Sequence, residues 1–193
     1  MEDTTKQQVQ QVQLSDLPKL WLKKAKTFIT TWDLKKVGCF EYGNFTEFAD
    51  RLVEIGGLKG VTADRVHEFF QASKTRTEEH DSSFFDQRSL EETILSCWTA
   101  VHDPDLMEGW RLFWRNLFEV LDFNSDGYIS FDEYVVYWQA WKLDPVQAKM
   151  QFDYIDTNHD GKISEDELVE AFTDYLSNYT DNGNRFFGPL LDF

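Results

Sequence analysis

Two acidic stretches of twelve residues constrain this chain more than any other feature of its sequence. They run from Asp122 to Glu133 (DFNSDGYISFDE) and from Asp156 to Glu167 (DTNHDGKISEDE). In both, oxygen-bearing side chains stand at positions 1, 3, 5, 9 and 12, and glycine stands at position 6. A Ca²⁺ ion takes about 6–8 oxygen ligands at about 2.3–2.6 Å, so a short loop can surround it only if ligands recur at alternate positions around a sharp turn. The pattern therefore predicts two calcium-binding loops.

Each loop offers the six ligands that the EF-hand pattern requires. Side-chain oxygens serve at positions 1, 3, 5 and 9, the backbone carbonyl at position 7, and both carboxylate oxygens of a glutamate at position 12. Glycine at position 6 permits a positive φ, and isoleucine at position 8 suits a short strand pairing between the loops. The candidate ligands are Asp122, Asn124, Asp126, Tyr128, Ser130 and Glu133 in one loop and Asp156, Asn158, Asp160, Lys162, Ser164 and Glu167 in the other.

The two loops repeat together with their flanking sequence, at an offset of 34 residues. Apolar residues recur at helical spacing before and after each loop, which predicts a helix on either side. The offset leaves room for one helix, a linker and the next helix, so we expect two hands that share one core.

Two segments of the N-terminal half fit the same frame but lack its ligands. In residues 33–44 (DLKKVGCFEYGN), Asp33 and Gly38 keep positions 1 and 6, but lysine, valine and asparagine stand at positions 3, 5 and 12. A lysine ammonium has no acceptor for a cation, and an alternative frame with Gly43 at position 6 loses every early ligand. In residues 81–92 (DSSFFDQRSLEE), phenylalanine replaces the ligand at position 5 and aspartate replaces the glycine. We predict that both hands are structural and that the site at 81–92 is absent or very weak.

These assignments predict an all-α protein of four EF-hands in two pairs, forming a compact helical fold with short β-bridges between paired loops. The predicted parts are a flexible tail (1–15), an N-terminal pair (16–102), a C-terminal pair (103–180) and an apolar tail that packs on the core (181–193). The polar segment 73–83 is predicted to be a loop. A capping box that starts at Ser89 predicts the start of the helix that follows, and Asp103 before proline predicts another.

Composition narrows the possible partners. The 193 residues carry a formal net charge of −16, which argues against nucleic acid and anionic membrane surfaces and fits a cation binder. The two cysteines are too few for a disulfide framework. No apolar run approaches the length of a membrane span, and the polar N-terminus lacks the apolar core of a signal peptide. We expect a cytoplasmic monomer that binds two Ca²⁺ ions, with Mg²⁺ as a competitor.

The chain resembles the family of sarcoplasmic calcium-binding proteins and calexcitin over about residues 20–193. The resemblance is carried by the two loops, by the segment from Phe28 through Trp32 and Asp33 to Gly38, Phe40 and Phe45, and by residues 187–190 (FGPL). It implies a four-hand fold in which some hands have lost their ligands, and it implies the same twelve ligands as above. In many relatives the first hand looks able to bind, whereas the lysine, valine and asparagine of loop 33–44 depart from that pattern.

Four functions follow as hypotheses. A calcium buffer fits the two intact loops and the low count of three methionines, because sensors expose Met-rich grooves. A calcium-signalling sensor would release Phe186 and Phe187 from the core on binding Ca²⁺, and these residues would then dock a protein partner or a membrane. Relatives of this fold include luciferin-binding proteins, so a small-ligand binder would need an aromatic cavity near His67, Trp98 or His102. An enzyme is disfavoured, since no phosphate-binding loop or nucleophile motif is recognisable.

Overall fold

The structure, a computed structural model, describes residues 12–36, 38, 43–79 and 89–192. This part of the chain holds eight α-helices and one two-stranded sheet. The helices are α1 (Lys19–Trp32), α2 (Gly43–Gly56), α3 (Val61–Glu79), α4 (Leu90–Val101), α5 (Pro104–Leu121), α6 (Phe131–Ala140), α7 (Ala148–Ile155) and α8 (Glu165–Ser177), and the strands are β1 (Ile129–Ser130) and β2 (Lys162–Ile163). Two 3-10 helices, Leu14–Asp16 and Pro145–Gln147, precede α1 and α7. None of the described helices combines the length and the apolar character needed to cross a bilayer.

Short polar residues set the starts of the helices where the sequence predicts them. The Ser89 side chain accepts from the backbone N–H of Glu92, and the Glu92 carboxylate accepts in return from Ser89 N at 2.9 Å, so the predicted capping box is confirmed. Ser130 and Ser164 cap α6 and α8 in the same way. Asp103 caps α5 through the N–H groups of its first turn. These bonds satisfy donors that have no partner within the helix.

The predicted loop over residues 73–83 is wrong for residues 73–79, because α3 continues through Glu79. This stretch contains neither glycine nor proline, and the Thr75 hydroxyl bonds back to the carbonyl of Gln71 at 3.1 Å. Residues 80–88, with most of the 81–92 frame, lie outside the described residues. So do residues 1–11 of the predicted tail and residues 37 and 39–42 of the first frame.

The predicted β-bridge between the paired loops is confirmed. Strands β1 and β2 pair antiparallel, with Ile129 opposite Ile163. Both isoleucines are fully buried. A β-branched pair that packs between the two loops ties the middle of one loop to the middle of the other.

One aromatic core joins the N-terminal and C-terminal halves. Helix α2 packs against α6, and α3 packs against α5. The Phe48 ring stacks on the Trp141 ring with centroids 3.9 Å apart. The Phe69 ring of α3 lies 5.5 Å from the Phe113 ring of α5, centroid to centroid. Such ring pairs add about 0.5–1.5 kcal/mol each beyond the area that they bury, so the halves form a continuous interior.

The segment after α8 folds back into this core. Phe186 and Phe187 are 1% and 0% exposed. The Phe187 ring lies 4.7 Å from the ring of Phe28 on α1 and 5.9 Å from that of Trp114 on α5. The two rings therefore close the interior between the first helix and the C-terminal hands.

A polar cluster around Asp174 holds the same segment from the other side. The Asp174 carboxylate accepts from Asn182 Nδ2 at 2.7 Å, from Asn184 Nδ2 at 2.9 Å, from Asn178 Nδ2 at 2.9 Å and from the Tyr154 hydroxyl at 2.9 Å. Partial burial raises the pKa of Asp174, but these hydrogen bonds outweigh it and hold the pKa below its ordinary value. The carboxylate is thus favoured in its charged form.

Helix α1 is bonded to the end of α8 and to the segment beyond it. The donors and acceptors are Trp21 Nε1 to Leu176 O (2.8 Å), Lys24 Nζ to Asn178 O (2.8 Å), Thr31 Oγ1 to Phe187 O (3.1 Å) and Leu191 N to Thr27 Oγ1 (2.9 Å). Burial lowers the pKa of the Lys24 ammonium, and the carbonyl at the end of α8 compensates part of that cost. The first helix therefore depends on residues about 150 positions later for its polar contacts.

Candidate calcium sites

The first turn of loop 122–133 is built on one buried carboxylate. Asp122 follows the last residue of α5 and is 5% exposed. Its Oδ1 accepts from Asp126 N at 3.0 Å and its Oδ2 from Gly127 N at 2.8 Å. Gly127 has a φ of +85°, the left-handed conformation that the turn requires. The first candidate ligand is therefore fixed by the backbone that it faces.

The next two candidate ligands are oriented by turns of the Asx type. Asn124 Oδ1 accepts from Asp126 N at 2.9 Å, and Asp126 Oδ1 accepts from Tyr128 N at 3.0 Å. Each side chain thereby bonds to the N–H two residues later. The oxygens at positions 1, 3 and 5 are held on the concave side of the loop by N–H groups of the loop itself.

The glutamate at position 12 bends back to the start of the loop. Glu133 is 8% exposed. Its Oε2 accepts from Ser130 N at 2.8 Å and from Ser130 Oγ at 2.7 Å, while its Oε1 accepts from Phe123 N at 2.9 Å. The carboxylate thus joins the two ends of the loop, although the residues lie ten positions apart.

Loop 156–167 repeats this network. Asp156 accepts from Asp160 N at 3.1 Å and from Gly161 N at 2.9 Å. Glu167 accepts from Ser164 N and from Thr157 N, at 2.9 and 3.0 Å. Burial raises the pKa of Glu167, but the hydrogen bonds from Ser164, Thr157 and the next backbone N–H outweigh it, so the pKa lies below its usual value. The position-12 carboxylate is therefore charged at neutral pH.

The chemistry of both loops fits a hard cation. Each supplies three carboxylates, a carboxamide, a hydroxyl and a backbone carbonyl, which are oxygen ligands of the kind that Ca²⁺ and Mg²⁺ prefer. Lys162 at position 7 offers its carbonyl, and its ammonium lies over the Tyr128 ring, 4.5 Å from the centroid. Among the described residues, no three acidic, histidine or cysteine side chains already form a closed ligand group. The carboxylates at positions 1 and 12 accept from backbone N–H groups of their own loops.

The first loop of the N-terminal half keeps the turn without the ligands. Gly38 N donates to Asp33 Oδ2 at 2.8 Å, and Gly38 has a φ of +86°. This is the bond between positions 1 and 6 that Asp122 and Gly127 make. The alternative frame placed Gly43 at the turn, but Gly43 is the first residue of α2. The geometry of the described residues supports the frame that begins at Asp33.

A basic residue that the sequence patterns did not single out touches the first intact loop. Arg65 of α3 donates to the carbonyl of Asp122 at 2.8 Å and to Ser125 Oγ at 3.1 Å. No sequence pattern distinguishes this arginine from other charged residues on the surface of a helix. The contact is seen only once α3 is packed against α5.

The residues proposed for a ligand cavity do not all come together. Trp98 of α4 and His102, the residue that follows α4, have ring centroids 4.2 Å apart, and Trp98 also packs on Trp21 at 4.8 Å. His67 lies on α3, with its Nδ1 3.8 Å from Asp50. Around Trp98 the rings of Trp21, His102 and Tyr179 lie 4.8, 4.2 and 5.7 Å away, centroid to centroid. Luciferin binding stays a prediction, which incubation with coelenterazine and a search for bound chromophore would test.

Comparison with solved structures shows the same fold in several calcium-binding proteins. The calcium-loaded apo form of the coelenterazine-binding protein from Renilla muelleri matches with a TM-score of 0.72 at 23% identity, over 88% of this chain and 96% of that one. Calcium-loaded apo-aequorin from Aequorea victoria matches with a TM-score of 0.63 at 16% identity, over 89% and 99%. A calcium-binding protein of Streptomyces coelicolor matches with a TM-score of 0.64 at 21% identity, over 81% and 98%. At these identities the matches establish the fold alone.

Sequence comparison identifies the family. A family model described as an EF hand matches residues 149–172, and one described as an EF-hand domain pair matches residues 115–140. The sarcoplasmic calcium-binding protein of Perinereis vancaurica tetradentata is 34% identical over 179 residues, which cover 89% of this chain and 99% of that protein. With the helical EF-hand fold and the repeated loop network, this near-complete match establishes that the chain belongs to the sarcoplasmic calcium-binding protein family of EF-hand proteins.

Proposed function

We propose that this protein binds two Ca²⁺ ions, one in each of the loops 122–133 and 156–167, and that it serves as a calcium buffer. One observation carries the proposal. Both loops combine a full set of oxygen ligands with a backbone network that orients them, and the same network is repeated bond for bond. The family relationship and the EF-hand matches support calcium as the ion.

The ligands divide into three roles. The carboxylates at positions 1 and 5 and the amide at position 3 provide oxygens from the first turn, and the carbonyls of Tyr128 and Lys162 provide the position-7 oxygens. Ser130 and Ser164 reach the ion directly or through water. Glu133 and Glu167 close the site with both carboxylate oxygens. A bound Ca²⁺ supplies the charge that offsets the mutual repulsion of the carboxylates, and Mg²⁺ competes for the same oxygens with a stricter octahedral demand.

Substitution of the two closing glutamates tests the assignment. Isothermal calorimetry of the parent protein should show two binding events per chain. Glu133→Gln and Glu167→Gln should each remove one, since an amide lacks the charge and the second equivalent oxygen of a carboxylate. The double variant should bind none with comparable affinity. Unchanged stoichiometry in either single variant would refute the ligand set, and three or more ions in the parent would place a site in 33–44 or 81–92.

The buried C-terminal segment favours a buffer over a sensor. EF-hand sensors expose a flexible apolar groove when they bind Ca²⁺. Here Phe186 and Phe187 fill the interior, and Asp174 with its asparagine donors holds the segment in place. A protein partner that docked on these rings would first have to extract them. Fluorescence of a hydrophobic dye should stay low both with calcium and with chelator, and a large rise only with calcium would favour the sensor.

We also propose that the protein is a cytoplasmic monomer without catalytic activity. The relatives named above are calcium-binding proteins, and no motif of the chain calls for catalysis. The negative charge of −16 opposes self-association at low ionic strength. Light scattering after size exclusion, with and without calcium, should give the mass of one chain of 22.8 kDa.

A further inference from the structure

Loop 122–133 receives an arginine from the other half of the molecule. Arg65 of α3 donates from Nη2 to the Asp122 carbonyl at 2.8 Å and from Nη1 to Ser125 Oγ at 3.1 Å, and its Nε is buried. Asp122 carries the first candidate ligand. Ser125 stands between the next two, with a φ of 58°. One guanidinium thus holds both ends of the first turn of the loop.

The other intact loop is held differently. Its residue at the position of Ser125 is His159, with a φ of 60°. Among the described residues, the bonds that hold its first turn come from within the loop, where Asp160 N and Gly161 N donate to Asp156. The two loops therefore share their internal network and differ in the contact that α3 makes with one of them.

A second arginine provides a matched comparison. Arg51 of α2 donates from Nε to the Ala140 carbonyl at 2.8 Å and from Nη2 to the Gln139 carbonyl at 2.8 Å. These carbonyls lie at the far end of α6, away from the ligands. Both arginines join the two halves of the chain on the same hand, but only Arg65 contacts the turn that carries the ligands.

We propose that Arg65 is a positioning residue that prearranges the first turn of loop 122–133, so that the calcium affinity of this site depends on α3. The inference rests on the proposed function of that loop. A turn that is already ordered loses less conformational entropy when the ion binds. The positive charge of the guanidinium acts in the opposite direction, but its bonds go to a carbonyl and a hydroxyl outside the ligand set. The ligands on either side of Ser125, which are Asn124 and Asp126, are exposed, so water and salt screen the repulsion there. The ordering effect is therefore the larger one.

The test uses a background with a single working site. In Glu167→Gln protein, calcium binding reports on loop 122–133 alone. There, Arg65→Met and Arg65→Lys should each weaken binding about tenfold, because lysine keeps the charge but loses the forked pair of bonds. Arg51→Met should change the affinity less than about twofold, within the range of surface changes that touch no ligand. In metal-free protein, amide hydrogen exchange at residues 125–127 should become faster in the Arg65 variants and stay unchanged in Arg51→Met.

Each result has one meaning. Equal or tighter calcium binding in Arg65→Met overturns the proposal, since the bonds of the arginine would then add nothing to the affinity of the site. Equal weakening of loop 156–167, measured in Glu133→Gln protein, also overturns it, because the effect would be general loosening. If Arg65→Met fails to fold, the affinity and exchange of Arg65→Lys decide. Failure of the proposed function is distinguishable, since Glu167→Gln protein with Arg65 intact would then bind no calcium.

Discussion

Replacement of Phe187 by alanine should destabilise the protein strongly and equally with and without calcium. Phe187 is fully buried. Its ring lies 4.7, 5.1 and 5.3 Å from the rings of Phe28, Phe186 and Tyr175. These neighbours belong to three different parts of the chain, so none can move into the vacated space without breaking other ring contacts.

The packing around Phe187 sets how much the free energy of unfolding should fall in Phe187→Ala protein. Phenylalanine to alanine in a packed interior costs about 3–5 kcal/mol, which combines the lost transfer free energy with the cavity that remains. Since rings enclose Phe187 on several sides, collapse is restricted and we expect about 4 kcal/mol. Leu191 in the same segment is 38% exposed and donates to Thr27 only through its backbone N–H. Leu191→Ala should therefore cost less than about 1 kcal/mol.

Urea unfolding, followed by tryptophan fluorescence in saturating calcium and again in chelator, measures both variants. A loss for Phe187→Ala no greater than that for Leu191→Ala would refute the packing argument. A loss seen in only one of the two metal states would mean that the segment leaves the core in the other state, which is the behaviour of a sensor.

Three further predictions concern stability and reactivity. Calcium should raise the melting temperature and chelator should reverse the rise, with about 2.7 kcal/mol added per site at a hundredfold excess over Kd in calorimetric scans. The pKa of Asp174 is depressed in the folded protein, so its contribution to stability is present above the ordinary aspartate pKa of about 3.9 and is lost as the pH falls below it. In Asp174→Asn protein, the free energy of unfolding measured in urea should therefore depend less on pH below about 4. An unchanged pH dependence would contradict this. Burial raises the pKa of the Cys97 thiol, so Ellman's reagent should label Cys97 in Cys39→Ser protein only after denaturation, and rapid labelling of native protein would count against its burial.

Local chemistry explains which features the sequence predicts well. A capping box needs only Ser89 and Glu92, three residues apart, and the pairing of β1 with β2 follows from isoleucine at the same position of two repeated loops. The extension of α3 over residues 73–79 has no such signal. That stretch contains no apolar residue, so it lacks the regular spacing of apolar residues that marks an amphipathic helix. Its helical conformation is seen only in the structure, where it continues the helix that begins at Val61.

Contacts between different EF-hands cannot be predicted from local sequence patterns, because the residues that form them lie far apart in the sequence. Arg65 and Asp122 are 57 residues apart, and their bond depends on how α3 docks against α5. That docking depends on how all the aromatic side chains of the core pack together. The sequence of any one helix shows only which of its own residues form an apolar face. The candidate ligands of each loop were therefore accessible from the sequence, whereas the group that orders one loop from outside was not.

The bonds between α1 and the residues after Leu176 have a consequence for synthesis on the ribosome. Trp21 and Lys24 emerge early, but the carbonyls that they bond to are translated about 150 residues later. At about 5–20 residues per second, α1 would wait for roughly 8–30 s before these hydrogen-bond acceptors are synthesised. The nascent N-terminal half therefore lacks these hydrogen-bond acceptors until the end of α8 and the residues after it have left the ribosome.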